Sequence, residues 1–329
     1  MKFAAVIAAA GLSSRMREFK PMLCLGTMTI IERVIQNLRS AGTEEIVVVT
    51  GYKSELLEKH LASRSVRLCK NTHYAETKML DSICLGLKTL RTSYDAVFIT
   101  PGDVPLVRTD TLRQMETAGA GIVRPVCGGQ PGHPVLIARE YIPQILKYRG
   151  SKGLRGAMAA LPQPVTDIEV DDSGITMDAD TPQDFRALRR QEMSIHNTGQ
   201  LWPDIHIHIA KGDTVLTPET AQYLEMIGHT GSIQNACACM HMSYSRGWTL
   251  LNKMEKELGY PLVGRYAGGS GGGGSTLTPR GQQLLTAYQE YRDILHRAAE
   301  ELFQKAFTAD LNGPDQGTCH ENSLSHPSR

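Results

Sequence analysis

The sequence predicts a Rossmann-like, mostly parallel α/β sheet domain followed by a smaller, mainly helical domain. Three observations carry that expectation. Over residues 3–100, short runs rich in Val, Ile and Ala alternate with segments of helical periodicity. That is the pattern of βαβ units whose sheet is covered on both faces. Near residues 190–203 the composition turns polar, through Ser194, Asn197, Thr198, Gly199 and Gln200 to Trp202 and Pro203. Beyond it, helical patterns dominate to residue 307. At 329 residues the chain is long enough for two cores.

Taken in order, a strand is expected at 3–9, where an apolar run ends at Gly11. A helix at 28–40, a strand at 44–50, a helix at 53–62 and a strand at 66–70 follow, then a helix at 79–90 and a strand at 95–100. After about residue 120, Pro and Gly interrupt the pattern. The first domain is set at 1–190, a linker at 191–203, the second domain at 204–307, and a polar tail at 308–329 is expected to be disordered. Within the second domain, Ile205-His206-Ile207-His208-Ile209 alternates as a strand does. Thr217-Pro218 opens a helix running to Ile227, and Ser232 and Ser243 stand where the N-caps of the next two helices belong. The last helix, 280–307, spaces Leu284, Leu285, Tyr288, Tyr291, Ile294, Leu295, Leu302 and Phe303 at helical intervals.

Composition narrows the function classes. Formal net charge is +1, with 41% hydrophobic and 21% charged residues, so contact with a polyanion must come from a local patch. The N-terminal apolar run is short for a signal peptide, and no later run approaches the roughly 20 residues of a membrane span. A cytoplasmic protein without a membrane partner is expected. The cysteines, at 24, 69, 84, 127, 237, 239 and 319, are odd in number and suit free thiols in a reducing compartment. Cys237 and Cys239 do not share a helical face and read as structural thiols rather than zinc ligands. His206 and His208 share a strand face, read as exposed rather than metal-binding.

The chemistry-bearing residues of the first half cluster around strand ends. Ala8-Ala9-Ala10-Gly11-Leu12-Ser13-Ser14-Arg15-Met16 follows the first strand, and Lys20 comes shortly after. Small residues after a strand expose backbone N–H groups to a phosphate chain, and Arg15 and Lys20 would neutralise its charge. Asp103 follows the strand at 95–100, at the sheet edge where ligands bind in α/β folds. Asp180 stands before Thr181-Pro182, where it could also cap a helix. Mg²⁺ typically takes one or two carboxylates and completes its shell with phosphate oxygens and water.

With these motifs, the first ~190 residues resemble the molybdenum-cofactor nucleotidyltransferases, and within them the cytidylyltransferase branch. The likeness runs through the 8–16 loop, Lys20, the segment ending at Tyr52, Gly102-Asp103-Val104-Pro105, Pro131-Gly132-His133-Pro134-Val135 and residues 178–185. It implies that Ala9, Ala10, Gly11, Ser13, Ser14, Arg15 and Lys20 hold the nucleotide and that His133 lines the acceptor site. It further implies Asp103 and Asp180 as ligands of Mg²⁺, with Mn²⁺ as the other ion such a site accepts. Arg15, Lys20 and Asp103 form the catalytic set of that reading. The implied substrates are CTP and molybdopterin, and the released product is pyrophosphate. Arg17 departs from the family, which usually carries Gly there.

The second half resembles the N-terminal domain of molybdate-responsive regulators, within the LysR-like winged helix-turn-helix group. Gly231-Ser232-Ile233-Gln234, Ser243-Tyr244-Ser245-Arg246-Gly247-Trp248 and Leu277-Thr278-Pro279-Arg280-Gly281 carry the likeness. By that reading Ser243, Tyr244, Ser245, Arg246 and Lys253 face double-stranded DNA from a recognition helix. The glycines of 267–275 would form a wing tip rather than a flexible linker, and the last helix would pair two subunits into a homodimer. Gly247 replaces the usual Ala, a change expected to weaken a helix by roughly 1 kcal/mol. Two alternatives stay open: a regulator whose transferase-like half only senses nucleotide or cofactor, and a transferase with another phosphate acceptor.

Overall fold

The computed structural model describes residues 1–11, 19–62, 64–91, 93–119, 121–195, 205–266 and 274–307. The first domain begins with β1 (Phe3–Ala8), a 3-10 turn at Lys20–Met22, β2 (Cys24–Leu25), β3 (Met28–Thr29), α1 (Ile30–Ser40), β4 (Glu45–Thr50) and α2 (Ser54–Leu61). It continues with β5 (Arg67–Lys70), α3 (Met79–Thr89), β6 (Ala96–Pro101), α4 (Thr109–Thr117), β7 (Ile122–Cys127), β8 (Gln130–Pro131) and β9 (Val135–Ala138). It closes with α5 (Ile142–Lys147), α6 (Gly153–Ala159), β10 (Val165–Glu169) and α7 (Pro182–Ile195). The main sheet has the order β10-β7-β9-β6-β1-β4-β5, with β8 a short arm on β7.

β1 lies centrally, parallel to β4 and β6, with Val6 opposite Val47 and Ile99. Its Ala-Val-Ile interior is buried, as a strand covered on both faces requires. β9 runs antiparallel to both β6 and β7. The strands after residue 120 were obscured by proline. Pro125 sits inside β7, but β7 pairs with β9 only through Ile122 and Val123, so the missing N–H breaks no rung there. The helix expected from residue 28 begins at Ile30, because Thr29 caps it reciprocally with Glu32. At the other end of the domain, α7 runs on to Ile195, into the stretch assigned to the linker, and Glu192 pairs there with Arg33 at 2.9 Å.

The second domain comprises β11 (Ile209–Lys211), β12 (Asp213–Leu216), α8 (Pro218–Thr230), α9 (Ile233–Cys239), α10 (Tyr244–Leu258), β13 (Val263–Tyr266), β14 (Gly274–Leu277) and α11 (Pro279–Ala306). The strand expected at 205–209 is corrected. Only Ile209 joins a ladder, in a hairpin that turns at Gly212. The alternation was real all the same: Ile207 is buried, its carbonyl accepts from the Tyr288 hydroxyl at 3.0 Å, and His206 and His208 are exposed. Ser232 and Ser243 cap α9 and α10 as expected. β13 and β14 pair antiparallel, Val263 opposite Leu277. The glycine run therefore joins two strands of one hairpin and is no linker between domains. Residues 267–273 and the tail from 308 lie outside the described residues.

Gly247 corrects a second expectation. A Cβ there would stand 2.4 Å from Cys237 Sγ and 2.6 Å from the Tyr223 hydroxyl. Tyr223 is fully buried, so the glycine is the space its ring occupies rather than a weakness in α10.

The two domains touch through α2 and α8. Lys59 donates to the Gly228 carbonyl at 2.6 Å, and Arg64 to Glu225 at 3.3 Å. Phe185 of α7 stacks on His241 with ring centroids 4.6 Å apart. Burial pushes the His229 imidazolium down to about 3, so this joint holds a neutral ring. Among the described residues no helix is long and apolar enough to cross a membrane.

Candidate functional site

β1 and β6 deliver their ends to one edge of the sheet. The Ala9 N–H donates to the Val49 carbonyl at 2.9 Å and is therefore spent within the sheet. Of the residues assigned to the phosphate loop, Ala9 therefore has no N–H to give a phosphate. The Ala10 carbonyl accepts from Tyr52 N–H at 3.2 Å. That approach depends on Gly51, where a Cβ would meet the Ala10 carbonyl at 2.7 Å. Ser13, Ser14, Arg15 and Arg17 lie outside the described residues.

Lys20 rises from the short turn that follows the loop, and its residue is buried. Its ammonium donates to Asp180 Oδ1 at 2.5 Å and to Asp103 Oδ2 at 3.4 Å. Three residues far apart in sequence thus meet at one point. Asp103 arrives there because it follows β6 directly. Asp180 arrives because the Ala179 N–H donates to the Asp103 carbonyl at 3.1 Å. The expectation that Asp180 could also cap the next helix is corrected: Thr181 caps α7, its hydroxyl accepting from Asp184 N–H at 3.2 Å. The Asp180 carboxylate turns to Lys20 instead.

The electrostatics of this edge call for positive charge. Burial, then the charges of Asp180 and Asp103, raise the Asp178 carboxyl above its usual range. Lys20 stands where a cation is wanted, so its ammonium marks the point on which two hard oxygen donors converge. Such a donor set fits Mg²⁺ or Mn²⁺.

His133 is held close by. Its N–H donates to the Ile175 carbonyl at 2.8 Å, and its Nδ1 is buried with no hydrogen-bond partner among the described residues. Burial lowers its pKa, with Asp103 opposing, so the ring is neutral. Sequence reasoning missed the residue that positions it. Asp172 is buried and accepts from Arg108 N–H at 2.8 Å, Thr111 Oγ1 at 2.7 Å and Gly174 N–H at 3.0 Å. That fastens the 173–176 turn carrying Ile175. No local motif announces an aspartate of this kind.

In the second domain, Ser243, Tyr244, Ser245 and Arg246 open α10 and are exposed. The structure brings Arg246 against Glu219 at 2.7 Å and Lys253 against Asp213 at 2.9 Å. An open cleft of about 560 Å³ lies between the starts of α9 and α10 and the two wing strands. Gln234, Tyr244, Arg265 and Tyr266 line it. Arg265 stacks over Trp248, 3.9 Å from the ring centroid. Arg265 was not singled out from sequence, although a basic residue leading into a glycine run was a usable signal.

Comparison with known proteins finds two separate likenesses along the chain. Residues 5–165 match the MobA-like NTP transferase domain, and residues 218–282 match the bacterial regulatory helix-turn-helix protein of the lysR family. The molybdenum cofactor cytidylyltransferase of Escherichia coli is 31% identical over 192 residues, which cover 58% of this chain and 97% of that protein. The molybdenum transport protein ModE of Azotobacter vinelandii is 36% identical over 93 residues, 27% of this chain and 34% of its own length. The chain therefore spans about a third of that regulator. Among solved structures, a nucleotidyl transferase from Methanothermobacter thermautotroptrophicus superposes with a TM-score of 0.51 at 22% identity. It covers 59% of this chain and 99% of its own, which shows the fold.

Proposed function

This chain belongs to the MobA-like NTP transferase family and continues into a regulatory helix-turn-helix domain of the DNA-binding type, and on that premise we propose that it transfers CMP from CTP to molybdopterin and reads DNA with its second domain. The observation that carries the transfer reading is the Lys20 ammonium between Asp103 and Asp180 at the carboxyl edge of the sheet. The terminal phosphate oxygen of molybdopterin attacks the α-phosphorus of CTP; a new P–O bond forms, the bond to the β-phosphate oxygen breaks, and pyrophosphate leaves. Such a displacement needs alignment and charge neutralisation more than a proton-transferring side chain.

Asp103 and Asp180 would hold the divalent cation, which supplies charge neutralisation on the triphosphate when bound. Lys20 would turn from these carboxylates to the phosphate oxygens. Ala10 and Gly11 would present backbone N–H groups, with Ser13, Ser14 and Arg15 continuing the cradle. His133, neutral and with Nδ1 unsatisfied, would orient the acceptor. Pyrophosphate release from CTP, GTP and ATP, measured with molybdopterin and Mg²⁺, tests the reading. Release with CTP above the other two is expected; release with none of them, alongside retained DNA binding, would leave a regulator that only senses its ligand. Arg17 in place of the family's Gly is the observation that favours this second reading.

For the second domain, Ser243, Tyr244, Ser245, Arg246 and Lys253 would meet the DNA, with the wing strands on the adjacent phosphates. α11 supports a homodimer. It buries Leu285 and Tyr288 inward but leaves Tyr291, Ile294 and Leu302 exposed, a row that a second copy would cover.

A further inference from the structure

The joint between the domains contains a cluster that neither the nucleotide site nor the recognition surface uses. His60, in the last turn of α2, and His229, in the last turn of α8, present their Nδ1 atoms to each other at 2.9 Å. Glu225, one turn earlier on α8, brings a carboxylate to the same point. One donor atom from each of the three lies within 4.8 Å of the other two.

The far side of His60 is already organised. Its Nε2 is 2.9 Å from Thr29 Oγ1 and 3.5 Å from the Glu32 carboxylate, and the residue is 1% exposed. A carboxylate behind the remote ring nitrogen is the outer-shell arrangement that fixes the tautomer of a metal-ligating imidazole. It leaves a lone pair on Nδ1, the atom that faces His229. Arg64 reaches both Glu32 and Glu225, so the carboxylates on the two sides of the ring pair share one guanidinium.

We propose that His60, Glu225 and His229 bind a divalent cation of the zinc class across the domain joint, with water in the fourth position. Two imidazoles and a carboxylate are donors for zinc, cobalt or nickel rather than magnesium, unlike the all-oxygen pair Asp103 and Asp180. Nitrogens bound tetrahedrally at about 2.0–2.1 Å sit roughly 3.4 Å apart, so the two rings need to part only slightly to admit the ion. Its consequence would be mechanical. α2 starts beside the nucleotide loop, where Tyr52 bonds Ala10, and carries His60 in its last turn. α8 ends beside the wing, where the Gly231 carbonyl accepts from Ser275 N–H at 2.8 Å. The ion would fasten these two helix ends to each other.

The test uses the full-length chain, stripped with chelator, then supplied with zinc in the presence of excess Mg²⁺ and passed through a sizing column. Unmutated protein and Asp103→Asn are expected to retain a single equivalent of zinc. His60→Ala and His229→Ala are expected to lose it, and Glu32→Gln to weaken it about 10- to 100-fold. Cobalt in the unmutated chain, which needs no variant to fold, should give the visible absorption of a four-coordinate site without thiolate charge-transfer bands. Absence of retained zinc in the unmutated chain, equal retention by a folded His229→Ala, or thiolate bands pointing to the cysteines would each overturn the assignment. None of these readings depends on turnover, so they stand apart from the identity of the nucleotide.

Discussion

The two functional surfaces treat positive charge in opposite ways. At the sheet edge, Lys20 is buried, and its partners Asp103 and Asp180 come from 83 and 160 residues away. On α10, Arg246 and Lys253 are exposed, and each is paired with an exposed acid of its own domain, Glu219 or Asp213. A half-buried ion cluster made by tertiary structure costs more to disturb than an exposed pair. An exposed pair is worth only about 0–1 kcal/mol, so a phosphate backbone carrying dense charge can take its cation over. On the proposed reading, the first surface would be assembled before its ligand arrives and the second would hold its cations in reserve. The near-zero net charge of the chain hides both.

The largest effect expected from breaking this contrast is at Asp103. Asp103→Asn keeps the shape but removes half of the carboxylate pair facing Lys20. Pyrophosphate release should fall by about 10²–10³-fold or more, the scale of losing one preorganised electrostatic contact. Binding to DNA, followed by anisotropy, should stay as it was. Equal loss of both activities would mean that the two surfaces are not separable.

Gly247→Ala breaks the other side. The added methyl must displace Cys237 or the Tyr223 ring in a filled core, at a cost of roughly 1–3 kcal/mol. The melting transition of the second domain should fall while transfer persists. A stability gain, as helix propensity alone would give, would show that Tyr223 is not packed as described.

These residues also show what could be read from sequence and what could not. The parallel half of the sheet was legible because β1, β4 and β6 are apolar on both faces. The strands around β9 were not, because Pro125 and short ladders erase the periodicity. The motifs containing Lys20, Asp103 and Asp180 were recognisable, but not that the ammonium would sit between the carboxylates, which depends on the bond from Ala179 to Asp103. Asp172 and the His60, Glu225 and His229 cluster were invisible. Their partners lie on other elements, and a one-dimensional pattern carries no record of how two domains dock. Gly247 was misread for the same reason: propensity is local, while Tyr223 is not.

On the recognition surface itself, Arg246→Ala should weaken DNA binding by about 1 kcal/mol if the contact is to phosphate, and by up to about 3 kcal/mol with relaxed specificity if it is to a base. Transfer should be untouched. A variant that binds DNA as the parent does, at the same salt, would remove Arg246 from the interface.

The smallest effect sharpens the comparison most. If Arg246 meets DNA as proposed, Glu219 would compete for it, so Glu219→Gln should release the guanidinium and tighten DNA binding, by no more than about 1 kcal/mol because the pair is exposed. The gain should be larger at low salt and fade as screening rises. In the Arg246→Ala background the same substitution should give less, since the cation it releases is gone. If Glu219→Gln weakens binding instead, the carboxylate is positioning Arg246 for the DNA rather than holding it back. The second surface would then be preassembled like the first, and the contrast between them would disappear.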